Sequence, residues 1–146
     1  MDVIIRIIQV ILALSLLVLV HEFGHYIFAK LFKIRVEKFY LFFPPAIFKY
    51  KPKKSDTEFG IGMIPLGGFC KISGMIDESM DKEAMKQPPQ PWEFRTKPAW
   101  QRLFVMAGGV LMNIVLAIVL YTAILFTWGE EYIKTEDAIY GVEVNN

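Results

Sequence analysis

Residues 3–29 read VIIRIIQVILALSLLVLVHEFGHYIFA, and this stretch decides the fold. From Val3 to Val20 only Arg6, Gln9 and Ser15 interrupt an apolar run, and no proline occurs before Pro44. A run this long without a breaker predicts one helix, placed at residues 1–34. A signal peptide is the weaker reading, because no small-residue cleavage site follows the run. A second uncharged block runs from Leu103 to Thr127. As a helix its 25 residues measure roughly 37 Å at about 1.5 Å per residue, enough to cross a hydrocarbon core of about 30 Å. The predicted fold class is therefore membrane α-helical, with two transmembrane helices (1–34 and 102–128) joined by a connection at 35–101. Residues 129–146 are expected to start a further region on the far side.

Composition agrees. Hydrophobic residues make up 54% of the 146, above the ordinary usage of soluble domains at about 45–50%. A formal net charge of +1 gives no basis for nucleic-acid binding. Cys70 is the only cysteine, so an intrachain disulfide is excluded. Lysine and arginine are unevenly placed. Arg6 precedes the connection, Lys134 follows it, and 14 of the 16 lie between Lys30 and Arg102. The cluster Lys30, Lys33, Arg35 and Lys38 directly flanks the first helix. By the positive-inside rule the 30–102 connection is cytoplasmic and both ends are extracytoplasmic.

Within the first helix stands His21-Glu22-Phe23-Gly24-His25, an H-E-x-x-H pattern. Residues four apart on a helix share one face, one turn apart. Two imidazoles so placed can hold one Zn²⁺, and the intervening carboxylate can act as the base for an attacking water. The two histidines are the only ones in the chain. His25 lies five residues before Lys30, about 7 Å inward along a helix. Each ionisable group placed inside a bilayer costs on the order of 2.5–3.5 kcal/mol on insertion scales. Three within five residues call for a compensating partner, and a metal is one. A polar cluster held by neighbouring helices is the metal-free alternative.

The connection has two distinctive parts. Residues 36–50, VEKFYLFFPPAIFKY, mix aromatics with lysines. They suit either the headgroup layer or a strand pair turning at Pro44-Pro45. Residues 57–74, TEFGIGMIPLGGFCKISG, hold five of the ten glycines. Phe59, Ile61 and Met63 alternate with Gly60 and Gly62, and Pro65-Leu66-Gly67-Gly68 reads as a turn before a return strand. A glycine-lined strand face admits close approach of another backbone, and a peptide could add there as a strand. The candidate substrate-binding residues are Gly60, Ile61, Gly62, Met63, Ile64, Gly67 and Gly68, together with Asn113 of the second helix. A simple glycine-rich hairpin under the membrane is the bland alternative. The charged, proline-rich residues 77–100 predict a short helix near 78–86 and then a loop. In the second helix Gly108-Gly109 allows close helix packing. Asn113 requires a hydrogen-bond partner, either a neighbouring helix or a substrate carbonyl.

With these motifs in order, the chain resembles the N-terminal part of a site-2 protease of the bacterial regulator-of-sigma-E protease group. The resemblance rests on HEFGH, FGIGMIPLGGFCKISG, FRTKPAWQRLFVMAGG and the GxxxN pattern Gly109 to Asn113. It implies a bacterial inner-membrane, multi-pass zinc metalloprotease with His21 and His25 as ligands and Glu22 as base. It implies cleavage of membrane-spanning substrates, of the anti-sigma-factor or remnant-signal-peptide type, after a first cut by another protease. It also implies a re-entrant glycine-rich loop that binds substrate as an added strand, a contribution of Asn113 to the site, and a PDZ-like region after the second helix.

One departure stands out. The group's third zinc ligand is an aspartate in a Leu-Asp-Gly motif on a later helix, and no Leu-Asp-Gly occurs here. A catalytic zinc site needs three protein ligands and a water. These 146 residues alone are therefore expected to bind zinc weakly and not to cleave, while the complete protein does both. The rival reading is a non-enzyme: a two-helix membrane adaptor or an inactive truncated homologue.

Overall fold

The computed structural model describes residues 2–75 and 88–129. The short helix expected near 78–86 and the region expected from residue 130 onward lie outside the described residues. Helix α1 spans Asp2–Leu31 and helix α2 spans Ala99–Trp128, 30 residues each. At about 1.5 Å per residue each is roughly 45 Å long. Both are long and apolar enough to cross a membrane. Their flanks carry exposed Val3, Ile7, Val10 and Leu14 on α1 and Val110, Ile114, Ile118 and Leu120 on α2. Water disfavours apolar surface of this extent. Contacts divide the chain into residues 1–116, which hold every candidate site residue, and residues 117–146. The described part of the second unit is the remainder of α2 and Gly129.

The end of α1 explains how the chain turns into the connection. Lys33 adopts φ 57°. Its amide donates to the Lys30 carbonyl (3.1 Å) and the Ile34 amide to the Ala29 carbonyl (2.8 Å). This is a Schellman cap, with a left-handed residue just past the helix. The hydrophobic residue that accompanies such a cap is Ile34, 1% exposed. Lysine in place of glycine at that position is strained, since left-handed backbone brings Cβ close to the following carbonyl.

Strand β1 (Val36–Tyr50) and strand β2 (Glu58–Ile72) form a two-stranded antiparallel sheet. Residues 36–50 form one strand that pairs with β2, and not a strand pair turning at Pro44-Pro45. The register corrects the expected hairpin. Phe39 pairs with both Cys70 and Phe59, and Tyr40 with both Phe69 and Gly60. Residues 38–41 of β1 therefore lie between the two halves of β2, which do not simply fold on each other. Beyond the Pro44-Pro45 bend, Phe48, Lys49 and Tyr50 pair with Ile61, Gly60 and Phe59. Aromatic rings drive the insertion of β1. Tyr26 of α1 meets Phe39 and Phe59 at ring-centroid distances of 5.5 and 5.8 Å, and Tyr40 stacks on Phe69 at 5.1 Å. Such pairs add about 0.5–1.5 kcal/mol beyond the area they bury.

A small core sits where α1, the sheet and the start of α2 converge. It contains Ala29, Ile34, Val36, Phe39, Cys70, Ile72, Phe94 and Val105. Thr57, fully buried, donates its hydroxyl to the Val36 carbonyl at 2.9 Å. The segment before α2 is stitched to the sheet by backbone bonds from Arg35 to Trp92, Ser73 to Arg35 and Phe94 to Ser73. Beside it, the Arg95 guanidinium accounts for the lowered pKa of the Glu93 carboxyl. Tyr40 is 3% exposed and donates its hydroxyl to a Glu58 carboxylate oxygen at 2.5 Å. Burial first, and then that carboxylate, push the Tyr40 phenol up to about 12.

Candidate metal and proteolytic site

The H-E-x-x-H turn of α1 comes closest to α2 at a glycine seam. A Cβ on Gly24 would collide with the Gly108 carbonyl oxygen and come within 2.9 Å of the Gly109 Cα. A Cβ on Gly108 would reach Gly24 O and a Phe28 ring carbon, each at 2.8 Å. Glycine in a helix interior costs about 1 kcal/mol relative to alanine. At Gly24, Gly108 and Gly109 that cost is offset by bringing two backbones together. Toward the C-terminal end of α1 the helices are also held by Phe28 and Phe32 against Phe104 and Trp100.

The close approach places α2 behind both histidines. His25 Nδ1 is 2.7 Å from the Val105 carbonyl oxygen. A carbonyl oxygen only accepts, so His25 carries its proton on Nδ1 and keeps the Nε2 lone pair available. His21 Nδ1 faces the Asn113 side-chain amide at 3.4 Å. Its ring packs over Gly109, where a Cβ would come 2.5 Å from Nε2 and 2.6 Å from both neighbouring ring carbons. The two imidazoles stand 4.9 Å apart between centroids, inclined at 75°. Two histidines on one face, each with Nδ1 engaged by the neighbouring helix, fit the ordinary metal-site arrangement, in which the non-ligating ring nitrogen is held by a hydrogen bond. Among the described residues, no group of three His, Cys, Asp or Glu side chains forms a complete metal site.

Two recesses open at this turn. One, of about 210 Å³, is lined by His21, Glu22, His25, Gly68, Phe69, Cys70, Ile72 and Met75. The other, of about 310 Å³, is lined by Leu17, Val18, His21, Glu22, Phe43, Gly67, Gly68 and Asn113. They share His21, Glu22 and Gly68. Gly68 sits directly on α1, where a Cβ would be 3.0 Å from Val18 Cγ1 and 3.3 Å from Glu22 Cγ. The return half of β2 therefore crosses the helix at the carboxylate.

Of the residues selected from sequence, the fold brings His21, Glu22, His25, Gly67, Gly68 and Asn113 to these recesses. Gly60, Ile61, Gly62, Met63 and Ile64 line neither. Ile61, Met63 and Ile64 are exposed on the first half of β2. The space beside Gly60 is taken by the Tyr40 ring, and that beside Gly62 by the Phe42 and Phe43 carbonyls. The chain's own β1 fills the space at both glycines, by a ring at Gly60 and by backbone at Gly62. Sequence reasoning missed Gly24, the Val105 carbonyl, and the Cys70 and Met75 lining. A glycine inside an apolar helix was the one available signal for Gly24. A carbonyl anchor leaves no sequence signal.

The sequence matches peptidase family M50 over residues 9–144. A Thermotoga maritima protein provisionally named a zinc metalloprotease is 37% identical over 123 residues, which cover 84% of this chain and 23% of that protein. Zinc metalloprotease Rip1 of Mycolicibacterium smegmatis is 36% identical over 124 residues, covering 82% of this chain and 30% of the relative. Metalloprotease MmpA of Caulobacter vibrioides is 29% identical over 144 residues, covering 90% and 36%. The chain spans about a quarter to a third of the length of these relatives. With the H-E-x-x-H helix, its glycine seam and the family match together, the chain belongs to peptidase family M50, the site-2 protease family.

Proposed function

We propose that these residues form the catalytic N-terminal part of an intramembrane zinc metalloendopeptidase that cleaves transmembrane segments in regulated intramembrane proteolysis. The observation that carries this reading is the recess shared by His21, Glu22 and His25, crossed by the β2 strand at Gly68. His21 and His25 are the metal ligands. Bound zinc supplies Lewis-acid polarisation of the scissile carbonyl and acidifies water. Glu22 removes a proton from the attacking water and returns it to the leaving amine. The third ligand comes from chain outside these 146 residues. Gly67 and Gly68 border an extended substrate backbone. Further along the sheet the exposed side chains of Ile61, Met63 and Ile64, with Gly60 and Gly62 between them in the strand, are proposed to meet its side chains.

Both long helices span the bacterial inner membrane, with the 30–102 connection on the cytoplasmic side and the motif near that face. The lysine and arginine distribution supports this orientation. Substrates are membrane-spanning proteins of the anti-sigma-factor or remnant-signal-peptide type. The incomplete ligand set among the described residues favours one second reading, an inactive homologue. A cleavage assay separates the two. In the full-length protein with a model membrane substrate, Glu22→Gln lowers the rate by at least about 10²-fold, the scale of a lost general base, while zinc stays bound. Wild-type cleavage by Glu22→Gln would remove Glu22 as the base, and no cleavage by the wild type would leave the inactive reading.

A further inference from the structure

The His21 side of the site contains an unsatisfied atom that the His25 side does not. Asn113 Oδ1 is buried without a hydrogen-bond partner, while Asn113 Nδ2 faces His21 Nδ1 at 3.4 Å. That separation is long for a hydrogen bond, which prefers about 2.7–3.2 Å. The oxygen and nitrogen of an asparagine amide are assigned from the surrounding bonds, as is the tautomer of a histidine. The two assignments are linked here. With Nδ2 against Nδ1, His21 must carry its proton on Nε2, the nitrogen a metal would need. With the amide reversed, Oδ1 accepts from Nδ1–H, and the Nε2 lone pair becomes available. The reversal also gives the orphaned oxygen a donor. A helix carbonyl keeps a second lone pair that can accept from an NH₂ group, whereas helix N–H groups are already committed and cannot serve a buried oxygen.

We infer that Asn113 is a positioning residue for His21: its amide oxygen accepts from His21 Nδ1–H and holds the imidazole in the metal-binding tautomer, as the Val105 carbonyl does for His25. Helix α2 then presents two acceptors, at residues 105 and 113, to two histidines one turn apart on α1. The glycine seam at Gly24, Gly108 and Gly109 brings these acceptors within reach. This assigns Asn113 a role through His21 and not through the substrate. It rests on the zinc reading of the proposed function.

The test uses the full-length protein in detergent. In metal-free wild type with ¹⁵N-labelled histidine, at a pH well above the imidazole's ordinary value of about 6.5, the His21 signal is expected to show the Nδ1–H tautomer. A dominant Nε2–H tautomer overturns the inference, and no variant needs to fold for that result. Chelator competition gives the second readout. Asn113→Leu is expected to weaken zinc binding by about 10–100-fold, the range for lost outer-sphere partners. Asn113→Asp keeps an acceptor and is expected to restore affinity and the wild-type cobalt absorption spectrum. Equal zinc affinity in wild type and Asn113→Leu, or equal losses in Leu and Asp, overturns the inference while leaving the zinc reading intact. If wild type binds no zinc, the proposed function fails, and the tautomer still decides the inference.

Discussion

The molecule uses glycine in two regions for different ends. In the seam between α1 and α2, Gly24 and Gly108 meet backbone to backbone, Gly24 against the Gly108 carbonyl and Gly108 against Gly24, while Gly109 faces the His21 ring. In the sheet, Gly60 and Gly67 face the far ends of the Tyr40 and Phe43 rings, whereas Gly62 faces the Phe42 and Phe43 carbonyls and Gly68 the Tyr40 carbonyl. Backbone in a helix cannot withdraw, whereas a ring can rotate about χ1 and χ2. The seam therefore sets the distance from the histidines to Val105 and Asn113 rigidly. The sheet tolerates local repacking where a ring stands opposite, at Gly60 and Gly67.

The sharpest break of that comparison is Gly24→Ala. The added methyl has no room against Gly108, so the helices must separate. We expect a loss of about 3 kcal/mol or more, at the upper end for overpacking, together with weakened zinc binding because His25 loses Val105. Melting and zinc content of the purified full-length protein check this, and a wild-type profile would show that the seam is not rigid. Next in size is the contrast within the sheet. Gly62→Ala should cost about 2–3 kcal/mol against the Phe42 and Phe43 carbonyls. Gly67→Ala should cost less than about 1 kcal/mol, because the Phe43 ring yields. Equal losses in denaturant titrations would contradict the distinction.

The smallest effect concerns Tyr40. Its folded pKa is raised to about 12 above an ordinary value of about 10, so the native state holds its proton more tightly. That contribution is complete below pH 10 and is lost as pH rises from 10 through about 12. Tyr40→Phe should cost about 1 kcal/mol at neutral pH and remove the alkaline loss over that window. An identical alkaline profile in both proteins would assign the loss to other groups.

The helices were legible because their signal is local: a long apolar run without proline needs no partner to be recognised. Both ends fell within three residues of the expected bounds. The motif was equally legible, since spacing on a helix fixes which side chains share a face. Gly108-Gly109 announced close packing, and the structure names Gly24 as its counterpart. The insertion of β1 between the halves of β2 was not legible. Alternation of side chains reveals faces but not neighbours, and pairing of Phe39 with both Phe59 and Cys70 is decided by distant aromatic contacts. The left-handed cap at Lys33 was hidden for another reason, because the residue there is not the glycine that marks such turns. The recess lining at Cys70 and Met75 depended on the same unforeseen sheet register.

In the proposed site His21 and His25 hold the metal that Glu22 works beside. Zinc per chain in the purified full-length protein tests it most directly. We predict about one zinc in wild type and in Glu22→Gln, as one catalytic site requires, and a large drop in His25→Ala. Wild-type zinc content in a folded His25→Ala protein would contradict the ligand assignment, and the site built on it would fall with it.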